Sequence, residues 1–349
     1  MSHIATTDDA FVEMIESSED LRPKTRQIYI GTLRVLQKLC EGMHGEDGVP
    51  SFGWLVCNPK LVIRKIFKTY DNNNTRRRFI AAVRSLFKLD PEIKERYPGC
   101  DDKWKKSMTI LDDAYREQAM SAQLTDRERK NWVPWSKILE KEAFLAETEY
   151  GSFDHLLLAM YCLIEPLRQN FGNVRIFIKT VPPVVEESAD GNYIVMLGKH
   201  RADLVLNDYK TSSKYGTFQR NLPEKLVRII EKSLTEYPRK FLFVDSDDAP
   251  YIKQNSFTQY SNRTLHRIFG VRITVSILRH SFISNLDFNE ELPSSLFQKA
   301  KNMGHSIGMQ QQYRKRAPRE DIEARPPPPA KPAIRSSEKG GERIVVIRM

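Results

Sequence analysis

No run of apolar residues in this sequence approaches the roughly 18 to 20 that a membrane-spanning helix requires. The opening residues MSHIATTDDAFVEM lack the basic-then-apolar character of a secretory signal. Both absences predict an intracellular, non-secreted protein. Cysteine is sparse: Cys40, Cys57, Cys100 and Cys162 stand far apart and match neither a CxxC pair nor a Cys/His ligand spacing. They read as free thiols, and no metal site is expected. Acidic residues are scarce in one particular place, because Lys60 to Lys88 holds nine basic residues and the single acid Asp71.

What is present points toward a polyanionic partner. The 349 residues carry 55 Lys and Arg against 45 Asp and Glu, a net charge of +10, which suits association with nucleic acid. Half of that excess lies in Arg314 to Met349, with ten basic and five acidic residues. Within that segment, ARPPPPAKPAIRSSEKGGE cannot join a helix or a sheet ladder, so residues 319–349 read as a largely disordered basic tail.

The first third has helical periodicity. After Pro23, Ile28, Thr32, Val35, Leu36 and Leu39 recur at helical spacing. A second helix after Thr75 carries Phe79, Val83, Leu86 and Phe87 on one side and Arg77, Arg84 and Lys88 on another. With almost no acids nearby to pair them, these cations read as a phosphate-facing stripe. A polar connector, LTDRERKNWVPW, follows. These features divide the chain into a helical domain over 1–125, a linker over 126–135 and a second domain over 136–318. In the second domain an apolar helix runs from Phe153 toward Leu167. The segments YIVMLG, ADLVLNDYK and TFQRNLP then read as strands, the last two as a β-hairpin with Lys210 at the mouth of its turn. The fold class expected is mainly α with a small antiparallel sheet.

Five groups then occur in order: Arg168 in EPLRQNF, Lys210 in NDYKTSSKYG, Arg279 in SILRHSF, His305 in KNMGHSIG and Tyr313 in QQQYRKR. LRHSF and MGHS followed by a tyrosine resemble the signatures of the tyrosine recombinases, the phage-integrase and Xer-like family, and LRPKTRQIYIGTLRVLQKL resembles the start of that family's helical core-binding domain. The resemblance implies a core-binding domain and an α/β catalytic domain that enclose duplex DNA as a clamp. It implies cleavage and rejoining of DNA strands through a 3′-phosphotyrosyl bond, serving DNA recombination or integration without ATP, metal or other cofactor. Arg168, Arg279 and His305 would hold the scissile phosphate, Lys210 would be the general acid and Tyr313 the nucleophile, with Ser276 and His280 in support. Lys24, Arg26, Arg76, Arg77, Arg78, Arg84, Lys88 and Lys214 would bind DNA. A homodimer on each site and a homotetramer in the synaptic complex would follow.

The chain departs from the family pattern at three points. Ser276 replaces the histidine three residues before the second arginine, Phe171 stands where an acid is frequent, and the interval from His305 to Tyr313 is eight residues, about one shorter than common. A type IB-like topoisomerase and a catalytically inactive DNA-binding relative are the alternatives. The residue chemistry itself supports strand transfer, since fixed guanidinium donors stabilise the extra charge of a phosphorane-like transition state.

Overall fold

The structure is a computed structural model and describes residues 7–43, 48–168, 170–178 and 191–316. The proline-rich tail expected over 319–349 lies outside the described residues. The chain divides into two compact units, Met1–Ser121 and Ala122–Met349. None of the described helices is long and apolar enough to cross a membrane.

The first unit is helical: α1 (Asp8–Ser17), α2 (Pro23–Leu39), α3 (Phe52–Cys57), α4 (Pro59–Thr69), α5 (Asn73–Leu89), α6 (Pro91–Arg96) and α7 (Cys100–Met120). Side-chain caps define several starts, with Thr7, Ser51, Asn72 and Asp90 each accepting from an amide of the first turn. Proline opens α2, α4 and α6, where its missing N–H costs nothing. The core gathers Phe11, Leu33, Leu36, Phe79, Val83, Leu86 and Trp104, whose indole N–H donates to the Val56 carbonyl at 3.1 Å. On α2 the buried residues are Ile30, Thr32, Leu33, Leu36 and Gln37, so Thr32 and Leu36 of the periodic set are buried, whereas Ile28 and Val35 of that set are exposed. The reason is tertiary: the polar Gln37 is drawn inward by bonds to Asp8 (2.5 Å) and the Pro50 carbonyl (2.9 Å), so the helix turns that face to its neighbours.

The second unit contains α8 (Asp126–Asn131), α9 (Trp135–Thr148), α10 (Phe153–Cys162), β1 (Arg175–Ile178), β2 (Tyr193–Gly198), β3 (Arg201–Leu206), α11 (Ser212–Tyr215), β4 (Phe218–Asn221), α12 (Glu224–Glu236), α13 (Gln254–Phe269), α14 (Val275–Asn285), α15 (Pro293–Asn302) and α16 (Ile307–Tyr313). The linker expected over 126–135 belongs to this unit. Its WVPW sequence is too apolar to stay in water, and Trp132, Val133 and Trp135 join the core around Leu156, Leu157, Leu226, Phe243 and Leu278.

The sheet runs β1-β2-β3-β4 and is mixed rather than antiparallel. β2, β3 and β4 pair antiparallel, but β1, unmarked in the sequence reading, pairs parallel with β2, Arg175 opposite Tyr193. A parallel pair needs a crossover of about a dozen residues, and the interval between Ile178 and Tyr193 provides that length. β3 and β4 form the expected hairpin in shorter form, with Leu206 opposite Phe218. Residues 207–217 connect them, so Lys210 sits within a connector that also holds α11, not at a strand end.

Candidate functional site

Burying a charge is costly unless an opposite charge or several hydrogen bonds compensate. Among the described residues three Asp, Glu, Lys or Arg side chains are buried: Asp101, Glu142 and Arg279. Asp101 pairs with Lys105 at 2.8 Å, and Glu142 pairs with Lys225 at 3.1 Å beside His155 at 3.4 Å. Arg279, only 2% exposed, has no carboxylate partner among the described residues. Its Nη1 donates to the Pro166 carbonyl and, at 3.3 Å, to the Met303 carbonyl. Nη2 donates to Met303 O at 3.3 Å and to His305 Nδ1 at 3.1 Å, while Nε has no acceptor among the described residues. Burial lowers the guanidinium's pKa to about 10, with Tyr313 opposing and Arg168 reinforcing the shift. It therefore remains a cation at neutral pH.

Local structure explains how these groups meet. Thr274 caps α14 by accepting from Ile277 N, and Arg279 lies on the buried side of that helix among Val275, Ile277, Leu278 and Ile283. α15 ends in a Schellman turn: His305 N donates to Ala300 O at 3.1 Å and Gly304 N to Lys301 O at 2.9 Å. Gly304 takes the left-handed conformation this turn requires, φ +67°, which any side chain would strain. The turn leaves the Met303 carbonyl facing Arg279 and delivers His305 to the same guanidinium.

The protonation of His305 follows from its partner. Arg279 only donates, so Nδ1 must accept, and the neutral ring carries its proton on Nε2. That Nε2 is buried and has no partner among the described residues. Desolvation first, then the charges of Arg279 and Arg168, push the His305 pKa down to about 3. The outcome is a neutral, unused hydrogen-bond donor beside a buried cation.

Tyr313 ends α16 within this group. Its ring stacks on His280 at 4.6 Å and 18°, lies 5.4 Å from the His305 ring, and has the Arg279 guanidinium carbon 5.5 Å from its centroid. His280 Nδ1 donates to the Tyr313 carbonyl at 2.7 Å, and its Nε2 lies 3.9 Å from Glu128. Burial lowers the His280 pKa against the opposing effects of the Tyr313 carbonyl and Glu128. Beyond the tyrosine, Lys315 N donates to Ser284 Oγ at 2.8 Å and Arg316 N to Ala122 O at 2.7 Å, which fixes the exit of the helix.

Arg168 and Lys210 line an open hollow together with Tyr209, Thr211, Met303 and Gly304. Thr211 Oγ1 donates to the Gly304 carbonyl at 3.2 Å, joining the Lys210 connector to the turn before His305. Thus Arg279, His305 and Tyr313 are in mutual contact, and Arg168 and Lys210 flank the adjoining backbone. Ser276 is exposed at the start of α14, and Phe171 is buried against Tyr161, ring centroids 5.5 Å apart. Several neighbours were not anticipated from sequence. Glu165 accepts from Arg220 and Asn302, and among the described residues the buried Tyr161 hydroxyl and both atoms of the buried Gln310 amide on α16 have no partner. No spacing rule marks such residues, because their partners come from other elements.

The expected DNA-binding cations differ in exposure. Arg77 pairs with Asp112 at 2.6 Å and Arg84 faces Asp101 at 3.9 Å, both acids supplied by α7. Arg76 donates to the Phe67 carbonyl at 2.9 Å and to Asn73, and Arg26 donates to the Leu21 and Glu16 carbonyls at 2.8 and 2.6 Å. These four are engaged within the first unit, so the expectation that the α5 stripe lacks acidic partners is corrected by tertiary pairing. Lys24, Arg78, Lys88 and Lys214 are exposed. On α4, Lys60, Arg64 and Lys68, part of the basic stretch from Lys60 to Lys88 but not among the expected DNA-binding residues, share a face at intervals of four, are exposed, and make no ion pair among the described residues.

No family model and no curated protein matches this sequence. Among solved structures the chain is similar to the XerA recombinase, with 10% sequence identity and a TM-score of 0.35 over 88% of this chain and 93% of that one. A likeness at that score carries no argument about activity.

The depressed histidines make stability depend on pH. Between about 3 and the ordinary 6.5, the unfolded chain binds the proton that folded His305 refuses, so unfolding free energy falls as pH falls through this window. Urea denaturation at pH 7 and pH 5 should show this loss, and His305→Asn, which retains an acceptor for Arg279, should remove about 1.4 kcal/mol per pH unit of the slope. An unchanged slope in that variant would mean His305 is protonated in the folded protein.

Proposed function

We propose that this protein is a DNA strand transferase that cleaves and rejoins phosphodiesters through a covalent phosphotyrosine. The observation that carries the reading is the buried Arg279 guanidinium, which has no counter-charge among the described residues and lies in contact with a tyrosine and a neutral histidine donor. An anion entering beside it would gain a charge-assisted bond where water is excluded. A DNA phosphate is the anion that also gives the tyrosine a purpose.

In the reaction, the Tyr313 oxygen attacks phosphorus, the bond from phosphorus to the 5′-oxygen breaks, and the 3′-phosphate remains attached to the tyrosine. Arg279, Arg168 and His305 Nε2 donate to the non-bridging oxygens, whose charge grows in the transition state. Lys210 supplies the proton to the departing 5′-oxygen. With serine at 276 the phenolic proton leaves to solvent, since a hydroxyl cannot take it as an imidazole can. The phosphotyrosyl bond retains the energy of the broken one, and attack by a 5′-hydroxyl restores the strand. The first unit would contribute phosphate contacts through α4, and the two units would enclose duplex DNA. Recombination would further need a homodimer on each site and a homotetramer at synapsis.

On a duplex nicked near the cleavage point, the wild-type protein should accumulate covalent adduct. Tyr313→Phe should bind the duplex unchanged and form none. Arg279→Ala should slow single-turnover cleavage at least about 100-fold, whereas Ser276→Ala should stay within about tenfold. Adduct formed by Tyr313→Phe would refute the assignment of the nucleophile, and plasmid relaxation without junction formation would identify a topoisomerase. Replacing Lys60, Arg64 and Lys68 together by alanine should flatten the salt dependence of DNA affinity by up to about three units, since each lost phosphate contact releases roughly one counterion fewer. An unchanged slope would remove α4 from the interface.

A further inference from the structure

Residues that hold catalytic groups in register need not carry chemistry themselves, and their signature is a bond network joining the backbone segments that do. One carboxylate here has that signature. Glu165 accepts from Asn302 Nδ2 at 3.0 Å through Oε1 and from Arg220 Nη1 at 2.7 Å through Oε2. Glu165 and Arg220 are largely shielded, with side chains 17% and 19% exposed. Burial alone would raise the Glu165 pKa, but the bonds from Asn302 and Arg220 outweigh it and hold the carboxyl below its ordinary value.

The three partners come from the three segments that carry the candidate site. Glu165 precedes Arg168 by three residues, and the next residue, Pro166, gives its carbonyl to Arg279. Asn302 ends α15, and the next residue, Met303, gives the other carbonyl to Arg279, two positions before His305. Arg220 lies on β4, opposite Leu204, in the hairpin whose connector holds Lys210. The two carbonyls that grip the guanidinium are thus the immediate neighbours of two members of one hydrogen-bonded trio. Asn302 is itself oriented, because Gln298 Nε2 donates to its Oδ1 at 2.8 Å and leaves its amide nitrogen for Glu165.

We propose that Glu165 is a positioning residue, whose bonds to Asn302 and Arg220 set the distance between the Pro166 and Met303 carbonyls and so align Arg279, Arg168 and His305 on one phosphate. The proposal rests on the strand-transfer reading for the identity of the phosphate, but the alignment it describes does not. The acid that a sequence comparison would seek at Phe171 is absent there, and Glu165 performs the ordering from the other side of Arg168 without touching it.

A reversal of hydrogen-bond polarity tests this. In Asn302→Asp a carboxylate meets the Glu165 carboxylate, while the bond from Gln298 survives because an oxygen still accepts it. Adding Glu165→Gln restores the contact: the introduced amide nitrogen donates to the introduced carboxylate, and the amide oxygen accepts from Arg220. At saturating nicked duplex, Asn302→Asp should slow adduct formation roughly 10- to 100-fold with affinity for the duplex unchanged. The double variant should return to within about threefold of wild type, a coupling that independent sites do not show. Should Asn302→Asp cleave at the wild-type rate, or the folded double variant be no faster than Asn302→Asp, the proposal is overturned.

The imidazole nitrogen shifts of His305 separate this outcome from failure of the strand-transfer reading. Wild type and the double variant should show the proton on Nε2, and Asn302→Asp a mixture of tautomers. If the wild-type protein forms no adduct while this pattern holds, the chemistry is wrong and the positioning stands. Identical shifts in all three proteins overturn the positioning.

Discussion

The second unit depends on a buried guanidinium that faces no carboxylate among the described residues. An uncompensated charge in a core costs several kcal/mol even after relaxation, and the chain offsets this for Arg279 with carbonyl and imidazole dipoles and the Tyr313 ring. Asp101 and Glu142, the other buried charges described, each have a cationic partner. A third pair of the same kind would have been the more stable arrangement. On the proposed reading a DNA phosphate is the anion that meets this cation, with the neutral His305 donor and the Tyr313 ring beside it.

Much of the surrounding structure serves to present groups to this charge. The Schellman turn at Gly304 aims a carbonyl and a histidine at it, and the EPLR segment supplies the second carbonyl. α14 supports the guanidinium from below, with Ser281 donating to the Val133 carbonyl at 2.7 Å to hold the helix on the WVPW segment. α16 packs where Tyr313 covers Arg279, even though this leaves the Gln310 amide buried without a partner among the described residues. Local stability is sacrificed around a single position, which is the usual condition of functional sites.

Short-range features were legible in the sequence. The helix following Pro23, the α5 core positions and the β3–β4 hairpin follow from periodicity and capping, and the stretch SILRHSF alone raises the question of what meets Arg279. Long-range pairings were not legible. Arg77 and Arg84 looked unpaired because their acids, Asp112 and Asp101, lie on a different helix. Arg26 and Arg76 are spent on backbone carbonyls, which no charge count registers. The α2 face was misjudged because Gln37 is buried by its bonds, not by its hydropathy. β1 was missed because four residues, one of them Arg175, carry too little pattern to reveal a strand whose partner is parallel. Glu165 gained meaning only when Arg220 and Asn302, 55 and 137 positions away, came beside it.

On the strand-transfer proposal an anion completes the environment of Arg279, and the Arg279 Nε–H reports on it directly because that group has no acceptor among the described residues. Titrating the protein with orthovanadate, which mimics five-coordinate phosphorus, in the presence of nicked duplex should shift the Arg279 Nε–H resonance with a single binding isotherm. The same titration of Arg279→Met should show no binding at this site. An Arg279 resonance that stays fixed while vanadate and DNA bind, or equal vanadate affinity in Arg279→Met, would contradict the account.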